Sequence, residues 1–118
     1  MTVGPLDVEA ALVGWLPGRT GVPAFGAVPA SRPTAFITVE RVGGGGDSVV
    51  IDRPVVAIQC WGRTRAEAAA LAGKVAGLVG QMVQIGRVTR AEKLSQQNFP
   101  DLEGGNHRYQ VVVGLVTT

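Results

Sequence analysis

The chain has 118 residues, 46% of them apolar and 17% charged, with 11 basic against 9 acidic side chains. That length fits one domain, and that apolar content excludes bulk disorder. The net charge of +2 is spread over scattered Arg and Lys with no basic run, which excludes a nucleic-acid patch built on clustered cations.

In chain order, Leu6 to Leu16 reads as a short amphipathic helix. Val8, Leu12, Trp15 and Leu16 recur at helical spacing, Asp7 suits the positive end, and Pro17-Gly18 ends it. Residues 17–34 (PGRTGVPAFGAVPASRPT) hold four prolines and three glycines. They read as an extended arm along this subunit or a neighbour, because proline removes backbone donors and disfavours both helix and central strand. Ala35 to Val42 alternates as a strand, with Phe36, Thr38, Glu40 and Val42 on one face and Ile37, Val39 and Arg41 on the other. Arg53 to Trp61 is a second strand whose near-continuous apolar run suggests burial on both faces, and Pro54 suggests that its start is unpaired or at an edge. Val49 to Ile51 reads as part of that returning strand or a bulge before it.

Thr64 to Val83 is the clearest helix. Thr64-x-x-Glu67 forms a capping box, and Ala68, Leu71, Val75, Leu78 and Met82 form one stripe. Gly73, Gly77 and Gly80 weaken it and allow close approach of a sheet or another helix. Gln84 to Gln97 reads in two ways. Thr89-x-x-Glu92 imitates a second capping box, but Ile85, Val88 and Leu94 give a helix almost no apolar face, so a polar edge strand open to a neighbouring subunit is the better reading. Asn98 to Asn106 is a turn and Arg108 to Thr117 the last strand. The order α-β-β-α-β-β gives a single α+β domain over residues 1–118, an antiparallel or mixed sheet packed by two helices.

The candidates for chemistry are few. The stretch ERVGGGGDSVVIDRP has a glycine tetrad, but Asp47 puts a negative charge where a phosphate would sit, and a strand rather than a helix follows. A loop between two strands fits better, spanning residues 43–47. His107 is the sole histidine; Asp101, Glu103 and His107 lie close in sequence, in a turn whose Pro and Gly already account for its composition. The single Cys60 excludes an internal disulfide framework and reads as a buried, inert thiol. Ser31, Ser48 and Ser95 sit in no nucleophile motif. No catalytic, cofactor-binding or metal residue is assigned, so the chain reads as a non-enzyme without cofactors. Arg41, Arg63, Arg65 and Arg108, at strand or helix ends, read either as solvated charge or as inter-subunit ion-pair partners for Asp47, Asp52, Asp101 or Glu103. No apolar run reaches membrane-span length, and the N-terminus MTVGPLDVEAAL lacks a basic region ahead of its apolar residues, so synthesis and retention in a reducing cytoplasm is expected.

The strand FITVERV followed by Gly-Gly, a buried strand ending in Cys-Trp-Gly, the helix start Thr-Arg-Ala-Glu-Ala-Ala, and Pro-Asp followed by Arg-Tyr and an apolar strand together resemble the tail terminator proteins of long-tailed bacteriophages. The resemblance covers most of the chain and rests chiefly on the order of elements. It implies a structural virion protein that forms a ring, hexameric in the family, on the head-proximal end of the tail tube. Such a ring ends tube growth and presents a docking surface to the head connector, while DNA passes through the lumen without specific binding. The implied partners are other copies of the chain, the major tail tube protein and the head–tail connector protein, with no membrane. The implied location is the virion tail or neck, and the host cytoplasm during assembly. Other readings are a neck, tail-completion or head-side stopper protein, and a small enzyme or nucleotide-binding domain. The residues expected at interfaces are Arg41, Gly43, Gly44, Gly45, Gly46, Asp47, Arg63, Arg90, Asp101 and Arg108.

Overall fold

The structure is a computed structural model and describes residues 4–46 and 50–118. Asp7 sets the first element: its carboxylate accepts the Ala10 N–H at 3.1 Å and caps α1 (Val8–Trp15). Val8, Leu12 and Leu16 are buried along one side, with Trp15 half-buried. Pro17 does not end the helical path as expected. It opens one more turn, α2 (Pro17–Thr20), because the N–H it lacks has no partner at a first helical position anyway. Gly21, at φ 78°, then stops that turn.

The proline-rich stretch also supplies a two-residue strand, β1 (Ala24–Phe25), where no strand is legible. It pairs parallel with β2 (Phe36–Gly44) at Ala24↔Ile37 and Phe25↔Thr38. Next come β3 (Pro54–Gly62), α3 (Arg65–Leu78), a 3₁₀ turn at Val79–Gln84, β4 (Val88–Asn98) and β5 (His107–Thr117). The sheet order is β1-β2-β3-β5-β4, mixed, with β1–β2 its parallel pair and β2–β3, β3–β5 and β5–β4 antiparallel. The fold is a single α+β domain, with the extra helical turn and β1 departing from the expected order. Residues 88–97 form the polar edge strand favoured for that segment. Pro54 sits at neither an edge nor an unpaired start. It opens the central strand β3 opposite Gly44, a first-residue position where its missing donor is tolerated. Ile51 lies outside β3, Asp52 makes an isolated bridge to Thr117, and Val49 lies outside the described residues.

The pleat sorts the strands into two faces. Ile37, Val39, Val56, Ile58, Cys60, Val111, Val113 and Leu115 point to one side and pack with Leu12, Leu71, Val75 and Met82 in a single core. Thr64 caps α3, accepting the Glu67 N–H at 3.1 Å, while Glu67 receives the Arg63 N–H at 3.1 Å. The buried stripe runs Ala68, Leu71, Ala72, Val75, then Val79 and Met82. Leu78 is only half-buried, because the helix tightens to three residues per turn after it and brings Val79 round with Met82. Gly73, Gly77 and Gly80 do not mediate close packing within the chain: they are exposed, with no atom within 4 Å of where a Cβ would be. Close approach falls to Gly62 instead, where a Cβ would lie 2.8 Å from the Ala68 N in the first turn of α3.

Candidate assembly interface

The two rims of the sheet are built differently. On the β2 side, the Pro23 carbonyl accepts the Ile37 N–H at 2.9 Å. Beyond the two-residue β1, the Glu9 carboxylate accepts the Arg41 N–H at 2.7 Å. The Ile37 and Arg41 backbone donors of β2 are therefore taken up by the chain itself. On the other rim, β4 runs for eleven residues with β5 on one side and, among the described residues, no strand on the other, and most of its side chains are exposed. Two register irregularities, between Val88 and Arg90 and between Lys93 and Ser95, and the charges of Arg90, Glu92 and Lys93 interrupt it. Bulges and charges are devices that restrict which partners an edge accepts.

The residues expected at interfaces do not converge on one site. Arg41 forms a bidentate pair with Asp52 inside the chain, at 2.6 and 2.9 Å, and its Nε donates to the Gly43 carbonyl at 3.1 Å. Hydrogen bonds from Arg41 hold the Asp52 carboxylate below its ordinary pKa. Within the chain, Arg41 and Asp52 satisfy each other across the β2–β3 hairpin. Gly43 and Gly44 belong to β2 and pair with Val55 and Pro54, so the expected loop is shorter at its start. Gly44 has φ 85°, and a Cβ there would collide with the Arg53 carbonyl. Gly45 accepts the Arg53 N–H at 3.2 Å and Gly46 is exposed, while Asp47 lies outside the described residues. Arg63 pairs with Glu67 at 3.3 Å, one turn on, and lowers the pKa of that carboxylate. Arg90 is exposed on β4.

Asp101 and Arg108 sit at the β4–β5 hairpin. Asp101 Oδ2 accepts from Asn106 Nδ2 and Oδ1 from the Gly104 N–H, both at 3.1 Å, and these bonds lower its pKa. Asp101 also bridges Asn106 through the backbone, and Gly105 closes the turn at φ 68°. The carboxylate thus braces the hairpin. His107 starts β5, with its side chain exposed.

The sequence reading missed the cluster on the sheet face away from the core. Trp61 stacks on Phe36 with centroids 5.3 Å apart and planes 6° from parallel, and its Nε1 donates to Thr38 Oγ1 at 3.1 Å. The Arg108 guanidinium lies 4.9 Å from the Trp61 ring and 4.4 Å from the Phe99 ring, while its Nε donates to the Phe99 carbonyl at 2.7 Å. Arg32, from the proline-rich arm, lies 5.3 Å from the Trp61 ring. Trp61 therefore ties the arm and the β4–β5 hairpin to the sheet. An open cleft of about 440 Å³ lies here, and Gln59, whose buried Oε1 has no hydrogen-bond partner among the described residues, lines it. The available signal was parity: Phe36 and Trp61 are directly opposite in register, on the face that α1 and α3 leave bare.

Burial pushes the Cys60 thiol up to about 12, so it is a protonated core side chain at neutral pH. No family model matches the chain, and no curated protein matches it.

Proposed function

We propose that this chain is a structural assembly protein of a long-tailed phage: a ring subunit that caps the head-proximal end of the tail tube and receives the head connector. The observation that carries the reading is the contrast between the two sheet rims. A ring subunit must offer two unlike patches that meet around a closed rotation. A domain with one self-satisfied rim, one long accessible polar rim and an elongated body of 44 × 26 × 26 Å suits that role. The order of strands and helices along the chain supports the same reading through its resemblance to tail terminators. The test is to incubate the purified chain with tail tubes and with tube subunits and to image the products. Binding at one tube end, with elongation arrested, is expected. Association with neither tubes nor tube subunits would sink the proposal.

A further inference from the structure

We propose that copies of this chain join head to tail, the β4–β5 hairpin tip of one seating Leu102 in a groove on the bare sheet face of the next. The tip is the first half of the contact. Leu102 is 87% exposed, far more than any other large apolar side chain described. It is presented by an ordered turn, since the Asp101 carboxylate just before it accepts bonds from Gly104 and Asn106 just after it, and the Asp101 carbonyl accepts the Gly105 N–H at 2.8 Å. Glu103 beside it is exposed. A braced turn holding an apolar side chain out in water is a poor solution for a solitary domain and a good one for an inserted anchor.

The groove is the second half. It lies on the face away from the core, with a volume of about 290 Å³. Val55, Leu94, Gly114 and Val116 line it, together with Arg90 and Glu92. Gly114 keeps it open, because a Cβ there would come 3.4 Å from Leu94 Cδ1. Leu94 is itself 49% exposed. The occupant is a second copy on grounds of chemistry and of place. An apolar tip beside the exposed, acidic Glu103 matches a groove lined by Val55, Leu94 and Val116 with Arg90 at its side, the docked pair setting Glu103 against Arg90. Along β5 the groove residue Gly114 stands roughly 23 Å from His107, where the hairpin begins. Tip and groove therefore lie towards opposite ends of β5 and do not meet within one chain. Two copies using one of each leave a free tip and a free groove, the condition for a closing ring or a continuing row.

This inference rests on the reading that the chain assembles with itself, and it names the contact. The purified full chain is mixed as two single variants, Leu102→Cys and Val55→Cys, under mild oxidation; Cys60 is buried and does not compete. A disulfide linking the two variants, absent when either is oxidised alone, is expected. Leu102-to-Leu102 dimers only, or no cross-link, would overturn the proposal. As a second readout, Glu103→Arg and Arg90→Glu should each weaken self-association in sedimentation by about tenfold, and the two in one chain should restore it. Gly114→Val should block association through the filled groove while leaving the circular dichroism spectrum unchanged. Independent losses without restoration would also overturn it. If the cross-link forms but tubes are not capped, the terminator reading alone falls. If tubes are capped without the cross-link, the tip–groove contact alone falls.

Discussion

The two faces of the one sheet share strands but not fates. Ile58 and Gln59 are neighbours in β3: Ile58 points to a helix-covered core, Gln59 to a face that no helix of the described residues covers. The near-continuous apolar run of β3 suggests burial on both sides, and in part that is what happens, since Ala57 and Trp61 are buried on the bare face too. The means differ. The core face is closed by apolar interdigitation with α1 and α3. The bare face is closed at one end by Arg32 and Arg108 against Trp61, and at the other it stays a groove. A strand's alternation thus states which residues share a face, and not what covers it.

The largest test of this contrast compares Ile58→Ala with Trp61→Ala in denaturant unfolding. Both should cost about 3–5 kcal/mol, the first by leaving a cavity, the second by losing the Phe36 stack, the Thr38 hydrogen bond and two cation contacts. If Trp61→Ala costs under about 1 kcal/mol, the bare face is ornament to the fold and the contrast breaks. The second test is alkaline. Cys60 is raised in the folded chain from 9.0 to about 12, so folding favours the protonated thiol. The stability it supplies is in full below pH 9 and falls as pH rises towards 12, by roughly 1.4 kcal/mol per pH unit. Unfolding midpoints of the wild type and Cys60→Ala should therefore converge as pH rises across that window. The smallest effect is expected at Gln59. Its Oε1 has no partner to lose, so Gln59→Leu should change stability by less than about 1 kcal/mol, in contrast with its neighbour Ile58.

Local signals carried much of the fold. The Asp7 and Thr64 caps, the alternation of Phe36 to Val42, and the polar pattern of Val88 to Asn98 are each written within a few residues. What escaped was decided at a distance. Pro17 opens a turn because Leu12 and Leu16 already hold α1 on the sheet, and Ala24 and Phe25 become a strand only because β2 lies alongside. Of the expected interface residues, Arg41 finds Asp52 eleven positions away and Arg108 finds Trp61 across a register pair. Nothing in the local composition of either arginine distinguishes a partner in the same chain from one in the next. Leu102 passed as an ordinary turn residue because its meaning lies in its exposure.

The hydrogen bond from the Arg41 N–H to Glu9 has a further consequence. Because a side chain occupies that rim, a second strand cannot add there without first evicting a carboxylate. A long edge for main-chain pairing is left on one rim, β4. With one long open edge per copy, strand addition alone cannot propagate a continuous sheet into a fibre.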